Sequence, residues 1–365
     1  MEKLLNNDKK YTILVAPLDW GLGHATRCIP IISHLLRLGH QVIIGSDGAQ
    51  AALLNEHFPE LKIVTLKGYQ IQYSADSRFF AFKIGTQIPK ILRSIAYENQ
   101  WLKQIVKEHQ IDVVISDNRY GLNNEAIPCI FITHQLTIKA PFKWLEYLLR
   151  KINYSYINRF TECWVPDMEG AENIAGELSH PFQMPTTAVH YINLLSRFTP
   201  IETVKKFEYC ILLSGPEPQR TVFENIVIES IKKIKGSILL VRGKPLEKSI
   251  PFIADHITVY NHLNAIELSK VIQESEYIIC RSGYSTLMDL LILKKKMIVV
   301  PTPGQTEQEY LANKLSKEGI VLSANQQNID LAHLFDQAKS LAFKKTSFKV
   351  FDENSLANLI KKIES

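Results

Sequence analysis

The segment Pro17-Leu18-Asp19-Trp20-Gly21-Leu22-Gly23-His24-Ala25-Thr26-Arg27 sets two glycines and a histidine between a short apolar run and a helical pattern. Gly21 and Gly23 let the backbone turn tightly and approach a ligand, and the helix that follows offers unpaired N–H groups and a positive dipole end to an anion. His24, at the mouth of this loop, has the chemistry of a general base near neutral pH or of a donor to an anion; an ordinary capping or packing role fits it equally well. As a dinucleotide fingerprint the segment is imperfect, because Thr26 stands where the third glycine belongs. That weakens a nicotinamide reading even though Asp47 follows the second apolar run.

Two loops in the second half repeat the logic. In Cys280-Arg281-Ser282-Gly283-Tyr284-Ser285-Thr286-Leu287-Met288-Asp289, small residues join a strand-like run to a helix start. Ser282, Gly283, Ser285 and Thr286 supply hydroxyl and backbone donors for phosphate oxygens, and Arg281 adds charge. Asp289, within the first turns, can grip vicinal ribose hydroxyls; the plainer alternative is a favourable carboxylate near a helix N-terminus. In Val300-Pro301-Thr302-Pro303-Gly304-Gln305-Thr306-Glu307-Gln308-Glu309 the prolines and glycine shape a turn, after which Gln308 and Glu309 present an amide beside a carboxylate. Such a pair suits reading sugar hydroxyls, one group donating and accepting and the other only accepting. Alternatively Thr306 caps the helix and Glu309 completes half a capping box.

The elements that must position these loops alternate along the chain. Apolar runs at 12–17, 41–45, 61–66, 112–116 and 130–133, with a helix across Arg27 to Leu38, restart as runs at 209–214, 237–241, 257–260, 277–280, 297–301 and 319–323. Strands alternating with helices predict parallel βαβ units, and the restart predicts two doubly wound sheets. The Pro- and Thr-rich stretch 184–203 breaks the periodicity and marks the boundary near 195–205. The expected layout is an N-terminal Rossmann-like domain over 1–198, a second over 199–350, and a helix over 351–365 that packs back on the first. In that helix Leu356, Leu359, Ile360 and Ile363 form one apolar stripe. Ligands of such sheets bind beyond the carboxyl ends of the strands, where the three loops lie.

Composition narrows the classes. Hydrophobic residues at 46% and charged residues at 22% describe a globular chain. A net charge of +5 favours anionic partners, but no dense basic block interleaved with aromatics argues for nucleic acid. Cys28, Cys129, Cys163, Cys210 and Cys280 are odd in number and set mostly in apolar runs, which suits reduced core thiols better than disulfides or a metal site. With no signal-like N-terminus and no apolar stretch of spanning length, the expected location is cytoplasmic.

The segment CRSGYSTLMDLLILKKKMIVVPTPGQTEQEYLANKL, 280–315, resembles the donor-binding segment of glycosyltransferase family 28, and GLGH at 21–24 resembles that family's N-terminal Gly-Gly-His loop. The resemblance implies a GT-B fold, two Rossmann-like domains facing each other across a cleft, and a UDP-sugar donor with no further cofactor. It implies that Ser282, Gly283, Tyr284, Ser285 and Thr286 meet the diphosphate, Asp289 the ribose, and Gln308 and Glu309 the sugar. The family has two glutamines at the last pair, so this chain's Glu309 is a departure. The loop Ser214-Gly215-Pro216-Glu217-Pro218-Gln219-Arg220 takes the place of a glycine-rich family loop, from which only Ser214, Gly215 and Arg220 carry over. His134-Gln135 resembles an acceptor-side His-Glu-Gln element.

The implied reaction is transfer of a hexose or N-acetylhexosamine, with inversion, to a saccharide or lipid-linked acceptor. Helix N-termini and Arg281 stabilise the leaving diphosphate without a metal, and no Asp-x-Asp pair occurs in the chain. The base is expected to be His24, with Asp117 and His134 behind it; Asp117 has a favourable strand-end position, though a capping role suits it as well. Leu145, Leu148, Leu149, Ile152 and Tyr156 form a stripe with Lys143, Arg150, Lys151 and Arg159 nearby. Packing of the stripe in the core is the expected role, and contact with the inner face of an anionic membrane is the alternative. A nucleotide-sugar epimerase or hydrolase, or a non-catalytic nucleotide-sugar-binding protein, would share the donor loops.

Overall fold

The computed structural model describes residues 9–70, 86–140 and 142–363, which fall into two compact units. One holds 9–70, Gln87–Arg197 and the chain from Val350 onward; the other holds Phe198–Lys349.

The first unit is a seven-stranded parallel sheet. In chain order it runs β1 (Thr12–Pro17), α1 (Leu22–Arg37), β2 (Gln41–Ser46), α2 (Gly48–His57), β3 (Lys62–Thr65), α3 (Ile88–His109), β4 (Val113–Asp117), β5 (Cys129–Ile132), α4 (Lys143–Ile157), β6 (Glu162–Val165) and β7 (Ala188–Tyr191). The strand order is β3-β2-β1-β4-β5-β6-β7. The second unit comprises β8 (Phe207–Leu212), α5 (Gln219–Ile231), β9 (Ile238–Val241), β10 (Ile257–Tyr260), α6 (Ala265–Gln273), β11 (Ser275–Cys280), α7 (Tyr284–Ile292), β12 (Lys296–Val299), α8 (Thr306–Lys317), β13 (Val321–Ser323) and α9 (Leu331–Ser340). Its order is β10-β9-β8-β11-β12-β13, again all parallel. The last helix, α10 (Glu353–Ile363), belongs to the first unit and packs on α1.

Central strands such as β4, VVISD, are buried along their whole length, as strands covered on both faces must be. Leu14, Val114, Phe131 and Cys163 join helix residues such as Leu102 and Ile157 in one core; Ile211, Leu240, Ile279 and Ile298 join Phe223 and Phe335 in the other. All five cysteines are buried and none is in a disulfide.

Three local expectations are corrected. Helix α1 starts at Leu22 rather than Arg27, because Gly21, at φ 85, ends the loop and serves as the N-cap. His24 therefore sits in the first turn of a helix and not in the loop. Asp47 caps α2, its Oδ1 accepting from Gly48 N at 2.7 Å. Thr306 is the first residue of α8 rather than its cap; Gln305 holds that position without a side-chain bond to the helix's backbone N–H groups, and no capping box forms there.

Each sheet has one place where the strand order reverses: between β1 and β4 in the first unit, and between β8 and β11 in the second. Neighbouring loops diverge there and leave a crevice at the carboxyl ends of the strands. Pro17 pairs with Asp117 at the first, and Leu212 with Cys280 at the second.

Candidate functional site

The carboxyl ends of β1 and β4 bring together all three sequence candidates for proton transfer. Asp117 ends β4 fully buried, and His24 reaches it from the first turn of α1, Nδ1 to Oδ2 at 2.9 Å. His24 keeps 15% of its side chain exposed. Arg27, one turn further along α1, supplies what sequence reasoning had left out. Its Nε lies 2.9 Å from both Asp117 oxygens, its Nη2 also donates to Asp117 Oδ1, and its Nη1 lies 3.2 Å from His134 Nδ1. The signal was present in the sequence, since residues at i and i+3 share a helix face, but nothing local says that Asp117 is opposite.

The electrostatics of this cluster are coupled. Burial pushes His24 below its ordinary value, with Arg27 adding to the effect, and together they outweigh the pull of Asp117. Burial alone would raise Asp117, but Arg27 and His24 prevail and hold it below the usual carboxylate range. The product is an ionised aspartate, a fixed guanidinium and a neutral imidazole at one sheet crevice.

The β1–α1 loop is held from below. Asp19 accepts from Tyr69 N and Gln70 N, both at 2.8 Å, and a Cβ on Gly68 would stand 2.2 Å from Asp19 Oδ2, so only glycine fits. Gln50 Nε2 donates to Asp19 O at 3.0 Å. Arg119, nearly inaccessible, donates through Nε to Pro17 O at 2.7 Å and through Nη1 to the buried Glu98 at 2.9 Å.

In the second unit, Gly283 is the N-cap of α7, and a side chain added there would meet nothing within 4 Å, so the approach to the helix N-terminus is open. Ser282 is buried, its Oγ donating to Gln308 O at 2.8 Å, which ties the first turn of α8 to the phosphate-type loop. Gln308 Oε1 accepts from Thr302 N at 2.9 Å, and Glu309 Oε1 from Gly304 N at 2.8 Å; both side chains hold their own loop while Glu309 also lines a cavity. Ser285 and Thr286 are half-buried in the first turn of α7, while Tyr284 and Asp289 are buried. Ser214 and Gly215, the latter at φ 108, are exposed beyond β8.

The two expected donor-site arginines face elsewhere. Arg281 is buried: its Nη1 donates to Val300 O and Pro301 O, and its Nη2 to Gln219 O and Gln326 Oε1. It also lies over the Phe223 ring at 4.2 Å, and burial lowers its pKa to about 10. Its guanidinium therefore clamps the fold instead of presenting charge to a phosphate. Arg220 likewise turns inward, onto Glu217, Glu224 and Arg242 O. Among the described residues, no group of three or more His, Cys, Asp or Glu side chains is placed to hold a metal ion.

The chain matches two family descriptions in sequence order: residues 12–154 match glycosyl transferase family 1, and residues 225–364 match the glycosyltransferase family 28 C-terminal domain. The chain is a family 28-like glycosyltransferase. A Methanosarcina mazei protein described as an uncharacterized glycosyltransferase is 22% identical to this glycosyltransferase over 323 residues, 82% of each chain. The UDP-N-acetylglucosamine--N-acetylmuramyl-(pentapeptide) pyrophosphoryl-undecaprenol N-acetylglucosamine transferase of Clostridium tetani is 22% identical over 364 residues, 94% of each chain. Among solved structures, Acinetobacter baumannii MurG superposes with TM-score 0.60 at 15% identity, over 97% of this glycosyltransferase and 100% of that chain. Spinosyn rhamnosyltransferase SpnG complexed with thymidine diphosphate superposes with TM-score 0.62 at 13% identity, over 97% and 100%. The fold of the glycosyltransferase is GT-B, two Rossmann-like units.

Proposed function

We propose that the glycosyltransferase transfers a sugar from a UDP-activated donor to an acceptor hydroxyl, with His24 as general base and inversion at the anomeric carbon. The observation that carries this reading is the His24–Asp117 contact at the strand-order reversal of the first sheet. Nδ1 of His24 faces both Asp117 Oδ2 and Arg27 Nη2, each at 2.9 Å; it either donates its hydrogen to the carboxylate or, unprotonated, accepts one from the guanidinium, and cannot do both. Donation to the carboxylate is the charge-assisted choice, and it leaves Nε2 unprotonated to take a proton. The acceptor O–H proton passes to Nε2 and the oxygen lone pair forms the bond to the anomeric carbon. The bond from that carbon to the diphosphate oxygen breaks, its electron pair leaving with the nucleoside diphosphate. The backbone N–H groups at the start of α7 receive that charge, with Asp289 reading the ribose.

The acceptor side of the reading includes a membrane surface. No helix among the described residues is long and apolar enough to cross a membrane. The first half of α4 nonetheless leaves Trp144 66% and Tyr147 49% exposed, with Phe142, Leu148 and Ile152 beside them and Lys143, Arg150 and Lys151 around. Only the latter part of the helix, at Asn153, Tyr154 and Ile157, is buried. Aromatic and basic side chains on one exposed face suit an anionic lipid surface, and such a face would carry a lipid-linked acceptor at the cytoplasmic side of the membrane.

The test separates binding from chemistry. UDP is titrated calorimetrically into wild type, Asp289→Ala and His24→Gln, with dTDP, GDP and NAD as controls, and turnover is followed with UDP-sugars and candidate acceptors. UDP binding lost in Asp289→Ala but kept in His24→Gln, with kcat reduced about 10²- to 10⁴-fold in the latter, is the expected pattern. Binding of NAD alone, or wild-type turnover in His24→Gln, overturns the reading.

A further inference from the structure

At the crevice of the first sheet one guanidinium stands between two imidazoles. Pro17, Asp117 and Ile132 lie side by side at the carboxyl ends of β1, β4 and β5, so the first turns of α1, Asp117 itself and His134, two residues past β5, converge there. Arg27 engages Asp117 through Nε and Nη2. Its two Nη nitrogens then fork, Nη2 facing His24 Nδ1 at 2.9 Å and Nη1 facing His134 Nδ1 at 3.2 Å. Arg27 and His134 are both buried. The two nitrogens of an imidazole lie on opposite edges of the ring, so both histidines turn Nε2 away from the guanidinium.

The two rings do not have the same partners. Arginine carries five N–H donors and no acceptor. A hydrogen bond between Arg27 Nη1 and His134 Nδ1 therefore runs from guanidinium to ring, and a neutral His134 that accepts it has its own hydrogen on Nε2. At His24 the same guanidinium competes with a carboxylate, since Nδ1 is also 2.9 Å from Asp117 Oδ2. The charge-assisted bond from ring to carboxylate puts the hydrogen on Nδ1 and leaves the lone pair on Nε2.

We infer that Arg27 and Asp117 hold the two histidines in opposite tautomers, and that Arg27 is thereby a positioning residue that makes His134 a hydrogen-bond donor at Nε2 and removes it from the candidates for the base. The tautomers follow from the contacts alone; their meaning for transfer rests on the reading of His24 as base. One edge that accepts and one that donates match a hydroxyl, whose oxygen can receive a hydrogen while it gives up its own. The charged and titratable groups facing His24 are Arg27 on its own helix, Asp117 on β4 and His134 past β5.

The experiment is long-range proton–nitrogen correlation NMR at pH 8 on the full chain, labelled with nitrogen-15 in histidine only. The signals of the two rings are assigned by their absence in His24→Gln and His134→Gln. Wild type is expected to show the unprotonated nitrogen at Nε2 in His24 and at Nδ1 in His134. The same tautomer in both rings, or averaging between tautomers in His134, overturns the inference. Arg27→Met keeps an apolar stem and loses every donor. It is expected to release His134 into averaging and to move the titration of His24 to higher pH, because Arg27 lowers it. Unchanged signals and an unmoved titration in a folded Arg27→Met overturn the role of Arg27; where that variant does not fold, the wild-type tautomers decide. Opposite tautomers together with undiminished turnover in His24→Gln sustain this assignment and remove the base reading.

Discussion

At the scale of single residues the chemistry depends on which charges are buried beside His24. Because burial and Arg27 lower its pKa, the imidazole is already neutral when the solution is neutral, the state a base requires. Activity is therefore expected to be flat from pH 7 to 8 and to fall on the acid side only below the ordinary histidine value of 6.5. The same shift has a stability consequence. In the unfolded chain His24 binds its proton near 6.5 while the folded chain resists it, so stability present above that pH is lost as pH falls from 6.5 toward the lower folded value. Asp117, held below its ordinary 3.8, contributes stability that goes only as pH falls through its own folded value, a separate and more acidic window. His34 is also lowered by burial and by Arg37, so the clean measurement is a difference. Urea midpoints of wild type and His24→Asn are compared at pH 7.5 and 5.0, and wild type is expected to lose more. Equal losses would show that the folded imidazole titrates as an unfolded one does. Sequence reading reached His24, Asp117 and His134 separately, by strand-end position and loop type; their meeting depends on Pro17 pairing with Asp117 across 100 residues, which no local pattern encodes.

Among the elements, α4 shows how far a pattern carries. Its apolar stripe is plain in the sequence, yet a stripe states only that some apolar surface will cover it, and core packing was the expected cover. In the structure the helix is anchored at its far end by Asn153, which bonds Gln135 O and Leu136 O, while Trp144, Tyr147, Leu148 and Ile152 stay exposed. Lys151 lies over the Tyr147 ring at 4.6 Å, so cation and aromatic are displayed together. Vesicle flotation is expected to recover wild type with phosphatidylglycerol-containing vesicles and not with phosphatidylcholine alone. Trp144→Glu/Tyr147→Glu is expected to weaken recovery by about tenfold or more, since two apolar anchors of roughly 1.5–3 kcal/mol each are exchanged for repelled charges. Undiminished flotation of the double variant would remove α4 from the membrane reading. The strands were legible wherever a run of branched apolar residues stood between turn signals, which covers β1 to β5 and all six strands of the second sheet. β6 and β7 were not. ECWV and AVHY are four residues each, and the segment between them is broken by Pro166, Pro181, Pro185, Gly170 and Gly176 and has no helical period. Arg281 and Arg220 escaped for a different reason: a cation in a small-residue loop reads the same whether it faces a phosphate or a ring of carbonyls.

For the whole molecule, the informative feature is the path of the chain, which leaves the first unit after Arg197, builds the second, and returns at Val350. Leu194 and Val350 form a parallel bridge at the return, with Phe351 N donating to Leu194 O at 3.0 Å. Phe351 then packs edge-on against His34, Glu353 pairs with Arg37 at 2.9 Å, and Leu356, Leu359 and Ile360 are buried where α10 lies on α1. α1 is also the helix that carries His24, the proposed base, and Arg27, so the last residues of the chain support that helix from its outer side. The exposed Arg37–Glu353 pair contributes little by itself, about 0–1 kcal/mol, whereas the four apolar side chains contribute on the order of 2 kcal/mol each as an upper estimate. Ending the chain after Lys349 is therefore expected to destabilise the first unit by several kcal/mol and to leave the second, whose core takes nothing from α10, at its original midpoint. Scanning calorimetry of the two chains, with and without UDP, resolves the matter. A shift of one transition to lower temperature is the expected result, the transition that UDP stabilises, which the proposed donor reading assigns to the second unit, staying in place. A common downward shift of both transitions would show instead that the two units unfold as one, and that the return of the chain at Val350 couples them more tightly than their separate cores require.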